Sequence, residues 1–430
     1  MKKFGIYLLV VMMILLTACS SGDSTTSSKA NESEDSGVTT VNFAAIKTFG
    51  EDSWTELINK FEAENPDIKI KLTQLPAPAK STEIHQYLVT SLQSGQNDID
   101  VFTGDVIWVP EFAAAGWTEP VDSYVNKADY YPGVIDALTY NGELMAVPWY
   151  VDGGMLYYRQ DLLEKYDLPV PKTWDEMLET AEKIKNGENN KDLEKFVWQA
   201  KQAEVLVCDF VEFLGSAGGS ILDSEGKPNV TGPEFLKALN LMQGLINDGD
   251  SPKSILTFDE EPSRTVFTDG NAIFHRNWSY VWSVAQNEEQ SKVAGKVGVA
   301  PLPSFDGKSS SSTMGGYQFM VSSNSKNKEA SIKFSNFLSS KENQLYFADK
   351  MAFSPTRPAA LEDEGLQENN PFLASLSEVF QGTTARPISP DYPKVSLVLQ
   401  SNISGVLSNT ITPEEAVDQI DNELQRITSQ

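Results

Sequence analysis

The sequence predicts an α/β protein with a mainly parallel sheet and helices on both faces. From residue 39 the apolar pattern alternates between the two-residue period of strands and the 3.6-residue period of helices. Strands that alternate with helices pair in parallel through helical crossovers. The chain has no obvious linker near its middle, which favours two α/β lobes that the polypeptide crosses more than once. In open α/β sheets ligands bind at the carboxyl ends of the strands.

The opening elements follow the order β-α-β-α-β. Residues 39–46 are β-like, and residues 54–64 place Trp54, Leu57, Ile58 and Phe61 on one face of a helix. Apolar residues then alternate with polar ones over residues 68–72. A second helix over residues 84–92 leads to a short buried strand at 99–102. This order is the basis for the parallel sheet.

Two later helices have clear start signals. Thr173 and Thr412 each precede a Glu by three residues, at Glu176 and Glu415, which is the pattern of a capping box. The helix after Thr412 is predicted to dock on a core, because one of its faces is apolar. Further helices are predicted at 233–247 and 330–338, and further strands at 295–303 and 317–322.

The amino terminus has the layout of a secretory signal peptide. Lys2 and Lys3 precede an apolar run over residues 4–16, which is too short for a transmembrane helix of roughly 20 residues. The run ends in Leu-Thr-Ala-Cys and resembles a bacterial lipobox, in which the cysteine is lipidated. We therefore predict a signal peptide at residues 1–18, and a lipidated Cys19 with a disordered tether at 19–38. This places the protein on the extracytoplasmic face of the cell membrane, held only by its lipid.

Composition narrows the function. A formal charge of −26 repels phosphate backbones and anionic lipid, so nucleic acid is not an expected partner. Cys208 is the one cysteine besides Cys19, so no internal disulfide is expected once Cys19 is lipidated. The two histidines lack the spacing of a metal site, and no cofactor or metal is predicted. The tethered protein is expected to work as a monomer.

Two clusters combine aromatic rings with polar groups. Residues 149–154 read Trp-Tyr-Val-Asp-Gly-Gly, and residues 276–282 read Arg-Asn-Trp-Ser-Tyr-Val-Trp. Sugars bind such mixtures, because their C–H faces stack on rings and their hydroxyls bond to planar polar groups. We interpret both clusters as loops of a sugar site. Core packing remains the alternative for any single ring, in particular Tyr157 and Trp282.

The chain resembles the extracellular solute-binding proteins of bacterial ABC sugar importers, most of all the trehalose/maltose-binding branch. The resemblance covers residues 40–430. It rests above all on residues 147–159, Val-Pro-Trp-Tyr-Val-Asp-Gly-Gly-Met-Leu-Tyr-Tyr-Arg, and on Pro-Lys-Thr-Trp-Asp-Glu at 171–176. Further matches lie at residues 100–108, 161–163, 276–282, 315–317 and 385–392.

This resemblance implies a two-lobe periplasmic-binding-protein type II fold with the ligand cleft between the lobes. The N-terminal lobe would comprise residues 39–150 plus 302–338, and the C-terminal lobe residues 151–301 plus 339–430. The protein would bind an α-glucoside disaccharide or short oligosaccharide and deliver it to the membrane permease. It would not be an enzyme.

The same resemblance implies the binding residues. Glu51, Asp105 and Asp152 would accept hydroxyl hydrogen bonds, and Arg386 would donate a fork to two oxygens. The stacking walls, with the glycine beside them, would be Tyr150, Trp278, Tyr280, Gly316 and Tyr317.

Several alternatives stay open. Asp105 and Asp152 could be capping or turn carboxylates, and Glu51 could simply start a helix. A cationic contact is expected near residues 77–85, where only Lys80 and His85 are available.

The function also has alternatives. The ligand could be another sugar, a sugar phosphate or other phosphate ester, or a peptide. A secreted glycosidase with two carboxylates about 5–9.5 Å apart is the rival from another class.

Overall fold

The computed structural model describes residues 37–48, 53–96, 98–223, 225–370 and 372–429. The predicted signal peptide, lipidated Cys19, all but the last two residues of the tether, and Glu51 lie outside these residues. Residues Thr39–Gln430 form one compact unit.

The described strands, in chain order, are β1 (Thr39–Ile46), β2 (Ile68–Leu75), β3 (Val101–Asp105), β4 (Thr139–Tyr140), β5 (Glu143–Leu144), β6 (Tyr150–Gly153), β7 (Met155–Arg159), β8 (Glu194–Val197), β9 (Ala272–Asn277), β10 (Val297–Ala300), β11 (Ser312–Gly315), β12 (Tyr317–Val321), β13 (Ser354–Pro355) and β14 (Thr383–Thr384).

The described α-helices are α1 (Ser53–Glu64), α2 (Ser81–Gln93), α3 (Val109–Ala114), α4 (Pro132–Ala137), α5 (Gln160–Lys165), α6 (Trp174–Glu188), α7 (Glu204–Ser216), α8 (Pro233–Asn247), α9 (Glu260–Thr268), α10 (Val281–Ala285), α11 (Lys328–Leu338), α12 (Lys341–Met351), α13 (Pro358–Leu361), α14 (Glu364–Asn369), α15 (Phe372–Gln381), α16 (Tyr392–Leu407) and α17 (Pro413–Thr428).

The first sheet has the order β12-β3-β1-β2. As predicted, β1 runs parallel to both β2 and β3, while β12 joins β3 in the antiparallel direction. Phe43 packs against Trp54 of α1 and Phe334 of α11. Ala44 is paired with Phe102, which packs against Phe112 of α3. Because consecutive strand residues point to opposite faces, helices cover both faces of this sheet.

The second sheet corrects the expectation of mainly parallel strands. Its order is β10-β7-β9-β8, and only the pair β8–β9 is parallel. Strand β7 runs antiparallel to both β9 and β10. A parallel pair needs a long helical crossover, which α7, α8 and α9 supply between β8 and β9. The opening pattern of the chain carried no information about this later sheet.

A short sheet of order β13-β6-β11-β14 connects the two larger ones. Strand β6 continues into β7 of the second sheet through Gly154, and β11 continues into β12 of the first sheet through Gly316. Gly316 has a φ of +115°, and a Cβ there would lie 2.3 Å from the Tyr150 carbonyl oxygen. Its own carbonyl accepts from the Val106 amide after β3. The chain can make this crossing because residue 316 has no side chain.

Both capping boxes are confirmed. The Thr173 hydroxyl accepts from the Glu176 amide while the Glu176 carboxylate accepts from the Thr173 amide, and Thr412 and Glu415 do the same for α17. The apolar face of α17 is buried at Val417, Ile420 and Leu424, as expected. These local signals fixed both helix starts correctly.

Helix α12 qualifies the predicted division into lobes. Residues 339–430 were assigned to the C-terminal lobe, but Phe347 of α12 packs against Trp54 of α1. Lys60 of α1 also pairs with Glu342 of α12 at 2.5 Å. This helix therefore packs against α1, which covers one face of the first sheet. The remaining lobe boundaries stay a prediction.

Gly316→Ala should lower the free energy of unfolding by at least about 2 kcal/mol, because a side chain at this φ is strained by about 1–3 kcal/mol and also meets the Tyr150 carbonyl. Urea denaturation measures the change. Gly142→Ala is the matched control, with a φ of +87° and no atom within 4 Å of the added Cβ. Equal losses in the two variants would show that the crowding at residue 316 has no effect.

Candidate functional site

A cavity of about 340 Å³ lies where the sheets approach one another. The helix start at residues 78–83 borders it on one side, and residues 201–205 with Glu260 and Glu261 border it on another. This lining includes Gly316 and every other predicted binding residue that the structure describes. They are Asp105, Tyr150, Asp152, Trp278, Tyr280, Tyr317 and Arg386. Folding thus brings together residues up to 281 positions apart.

The sequence interpretation placed both clusters in loops, but only part of them lies there: residues 278–280 form a turn, whereas other cluster residues lie in strands. Tyr150 to Gly153 form β6, and Arg276 and Asn277 end β9. Strands hold their side chains more rigidly than loops do, because both backbone edges can be hydrogen-bonded. Strands β6 and β9 therefore hold part of the lining in place, and the turn at residues 278–280 follows β9.

One wall is a stack of aromatic rings. The Tyr150 ring lies parallel to that of Phe353, with 4.0 Å between centroids, and nearly parallel to Tyr317 at 6.5 Å. Burial raises the pKa of the Tyr150 and Tyr317 hydroxyls well above the usual value, so both stay protonated at any ordinary pH. The Tyr317 hydroxyl is buried and makes no hydrogen bond within the described residues. This wall offers flat apolar surface and a hydroxyl available for bonding.

Trp278 forms a second wall. The Arg276 guanidinium carbon lies 4.2 Å from the Trp278 ring centroid, which is close enough for a cation–π contact. Gly315 lies beside the ring as well, since a Cβ there would be 3.1 Å from a Trp278 ring carbon. The indole remains half-buried. Its neighbours hold it in one orientation while part of its surface stays accessible.

Arg276, the first residue of the second cluster, is held in a buried ion pair and does not face a ligand. It is 2% exposed and pairs with Asp209 at 2.8 Å and Glu212 at 2.5 Å, both of them buried on α7. The Glu212 carboxylate also accepts from the Thr313 amide of β11. A Cβ at Gly154 would overlap this ion pair. The buried network therefore links β9, α7 and the short sheet behind the cavity.

Asp152 is a strand carboxylate whose Oδ1 accepts from the Gly153 amide at 2.8 Å and the Ser279 amide at 3.0 Å. Burial raises its pKa to about 6, and these two amides partly oppose that rise. The alternative of a helix cap does not apply to it. Its bond to Ser279 fixes the turn that carries Trp278 and Tyr280.

Asp105 is a capping carboxylate, which was the alternative left open for it. Its Oδ1 accepts from the Ile107 amide at 3.2 Å. The same oxygen accepts from Nη2 of Arg386 at 2.8 Å, and Nη1 of Arg386 donates to Glu204 at 2.8 Å. The Arg386 fork, predicted to bind two ligand oxygens, is thus occupied by two carboxylates. Its buried Nε has no partner among the described residues.

The other aromatic residues of the motifs belong to the core. Trp149 is fully buried among the rings of Trp54, Phe319 and Phe347. The Tyr157 hydroxyl donates to the Trp278 carbonyl, which supports the loop from beneath. Trp282 stacks on Phe372 at 5.0 Å and is not in the lining. Core packing, the alternative for Tyr157 and Trp282, is therefore correct.

The region of the expected cationic contact contributes Lys80 but not His85. Lys80 lies in the lining. His85 instead pairs with Glu111 at 2.6 Å and packs against Trp108 and Phe112. One of the two candidate cations is thus available at the cavity, and the other belongs to the packing of α2 on α3.

Several lining residues were missed from the sequence: Glu204, Cys208, Glu260, Glu261, Phe353 and Gln400. Glu204 and Glu260 are the first residues of α7 and α9. Acidic residues are favoured at helix starts for electrostatic reasons, so their pattern does not distinguish a ligand site. Phe353 stood outside any aromatic cluster. No local signal marked these positions.

The described residues contain neither a metal-binding cluster nor a membrane-spanning helix. No group of three or more His, Cys, Asp or Glu side chains there is arranged to hold a metal ion. Among the described helices, none has both the length and the apolar composition to cross a bilayer.

The two large sheets, the short sheet that connects them and the cavity between them define a two-lobed α/β binding protein. The chain belongs to the family of bacterial extracellular solute-binding proteins, whose family model matches residues 50–345. Its members bind solutes and do not transform them, which confirms the prediction that this protein is not an enzyme.

Individual relatives agree with this assignment. A probable ABC transporter-binding protein of Deinococcus radiodurans is 34% identical over 88% of this chain and 89% of its own length. The structure of maltose-bound T. maritima MalE3 matches with a TM-score of 0.85 and 38% identity, covering 91% of this chain and all of that one. A solute-binding protein of Thermotoga lettingae bound to α-D-tagatose matches with a TM-score of 0.80 and 26% identity, covering 90% of this chain and 99% of its own.

Arg276→Met should lower the free energy of unfolding by about 3–5 kcal/mol, because it leaves Asp209 and Glu212 buried without their cation. Urea denaturation measures the loss. Lys227→Met is the control, because its pair with Glu225 is exposed and should contribute at most about 1 kcal/mol. Similar losses in both variants would contradict the role of the buried network.

Proposed function

We propose that this protein binds an α-glucoside disaccharide or short oligosaccharide, of the trehalose or maltose type, and delivers it to the membrane permease of an ABC importer. The observation that carries the proposal is the pairing, in one cavity, of stacked aromatic rings with buried polar atoms that lack partners. The unpartnered atoms among the described residues include the Tyr317 hydroxyl, Oε2 of Glu260 and Nε of Arg386.

A sugar meets both requirements of this lining. Its C–H faces can lie on Tyr150, Tyr317 and Trp278, and its hydroxyls both donate and accept. An unmade hydrogen bond on a buried polar atom costs about 1–3 kcal/mol, so a ligand that completes such bonds recovers that free energy. A volume of about 340 Å³ falls at the lower end of the range of about 300–1,000 Å³ found for small-molecule sites. This size favours a short sugar.

The charges of the lining oppose an anionic ligand. They therefore disfavour a sugar phosphate, which the sequence left open as an alternative ligand. Arg386 is neutralised by Asp105 and Glu204, and Lys201 pairs with Asp259 at 2.6 Å. Lys80 is half-exposed and lies 3.8 Å from Glu83. A phosphate would also approach Asp152 and Glu260, and the cost of burying like charges together is high. A neutral polyol is therefore favoured.

The proposed transport role depends on closure of the lobes around the sugar. A ligand that contacts both lobes shifts the equilibrium toward the closed form, and the permease recognises that form. Arg386 supports this part of the proposal, because it pairs both with Asp105 at the end of β3 and with Glu204 of α7. A sugar that bonds to both sides would add to the same interface.

The lipid anchor forms part of the proposal. Leu-Thr-Ala-Cys at residues 16–19 supports acylation of Cys19, which would hold the monomeric receptor near the permease on the outer face of the membrane. The polar segment that follows supports a tether long enough to let the receptor reach its partner.

Trp278→Ala and Asp152→Ala should each weaken binding of maltose or trehalose at least tenfold, the first by removing a stacking wall and the second by releasing the Ser279 turn. Isothermal titration calorimetry with trehalose, maltose, sucrose and maltotriose measures the affinities. Trp282→Ala is the matched control, since Trp282 lies outside the lining. Unchanged affinity in both site variants would refute the assignment. Each sugar should be recovered intact after incubation.

Cys19→Ala should move the protein from the membrane fraction to the medium while leaving sugar affinity unchanged. Immunoblots of fractionated cells and calorimetry of the released protein measure the two effects. Cys208→Ala is the control and should stay with the membrane, because Cys208 is buried inside the folded unit. A Cys19→Ala protein that remains in the membrane fraction would contradict the anchor.

A further inference from the structure

Glu260 occupies a distinctive position in the cavity. It is the first residue of α9, and its backbone carbonyl accepts from the Ser263 hydroxyl at 2.8 Å and from Nδ2 of the Asn277 side chain at 3.2 Å. The side chain lines the cavity, and its Oε2 is buried without a hydrogen-bond partner among the described residues. Its position is therefore fixed at the backbone while one carboxylate oxygen remains unsatisfied.

The other carboxylates that line the cavity have partners. Asp105 and Glu204 bond to Arg386, and Asp152 accepts from two backbone amides. Glu261, next to Glu260 in the chain, accepts from the Tyr280 hydroxyl at 2.7 Å and from Arg264 at 2.7 Å. Glu83 has Lys80 at 3.8 Å. Within the described lining, Glu260 is the carboxylate with a fully buried oxygen that accepts no hydrogen bond.

We propose that the Glu260 carboxylate accepts a hydrogen bond from one sugar hydroxyl and thereby selects for ligands that carry a hydroxyl at that position. This inference rests on the proposed sugar-binding function and deepens it, because it names a residue that determines specificity. A site built to bond a hydroxyl discriminates strongly against an analogue that lacks it, since the buried acceptor is then left unpaired.

The charge of Glu260 should make this bond depend on pH. Burial raises its pKa to about 7, the negative charge of Asp259 adds to the rise, and Arg276 and the Trp278 indole oppose it. An ionised carboxylate only accepts, and charge-assisted hydrogen bonds are the stronger kind. A sugar hydroxyl that donates to it favours the ionised form and lowers the pKa in the complex. Affinity should therefore be highest above pH 7 and decline as the pH falls below it.

Other titratable and charged groups line the cavity with Glu260 or lie next to it in the chain or fold. They are Asp259 and Glu261 near the start of α9, Lys201 and Asp209 before and within α7, Arg276 and Tyr280 at and after β9, Tyr317 of β12, Asp152 of β6, and Lys80 and Glu83 across the cavity. Burial also raises the pKa of Asp152, to about 6. Its protonation should add a separate loss of affinity at lower pH.

The test compares the wild-type protein with Glu260→Gln and Glu260→Ala by calorimetry with maltose and with trehalose from pH 5 to pH 8.5. Wild-type affinity should fall several-fold between pH 8 and pH 6, whereas Glu260→Gln should be flat between pH 8 and pH 6.5. Glu260→Ala should bind at least tenfold more weakly than wild type at pH 8. Glu225→Gln, an exposed carboxylate outside the lining, should keep the wild-type profile.

A second measurement identifies the hydroxyl. One monodeoxy analogue of maltose should bind the wild-type protein at least tenfold more weakly than maltose does. The Glu260→Ala variant should bind that analogue and maltose with equal affinity. The inference would be overturned if both Glu260 variants kept the wild-type dependence of sugar affinity on pH, or if wild-type affinity rose as the pH fell. Either result would leave the proposed sugar binding intact. If the wild-type protein binds none of the tested sugars at any pH, the proposed function fails instead.

Discussion

The passage of the chain from the short sheet into the first sheet at Gly316 is the constraint on which the cavity depends. The Tyr150 carbonyl lies where a side chain at residue 316 would have to go. Because this contact is so close, Tyr317 follows directly beside Tyr150, and the two rings lie nearly parallel. The same crossing brings Val106, just after Asp105, against the Gly316 carbonyl. A single backbone approach thus positions residues from three segments of the chain around one space.

The second half of the cavity depends on buried charge. Arg276 is held by Asp209 and Glu212, and it in turn lies against the Trp278 ring. Burying such a group costs more than it returns unless every partner is in place, so the network tolerates few arrangements. The network orients the Trp278 indole, so the ring that would stack on a sugar is in place before the ligand binds. Arg386 has a comparable role at the other end, where it joins Asp105 to Glu204.

Much of the fold was predictable because its signals are local. The periodicity of residues 39–102 gave the first strands and helices, and Thr173 and Thr412 marked helix starts that the structure confirms. The described candidate residues also line one cavity, because the resemblance located them by motif. The antiparallel strands of the second sheet were not predictable, since pairing direction depends on partners far away in sequence. The packing of α12 on α1 was missed for the same reason.

The sequence by itself determined the α/β class, the order of the opening elements, and the rings, carboxylates and amides from which a sugar site could be built. These follow from the spacing and chemistry of neighbouring residues. Only the tertiary structure decided how those groups are used. It turned Arg276 inward to a buried ion pair, occupied the Arg386 fork with carboxylates, and left Glu260 with an unsatisfied oxygen. The strength of an ion pair depends on distance and burial, and neither can be read from residues that lie 64 to 281 positions apart in the chain.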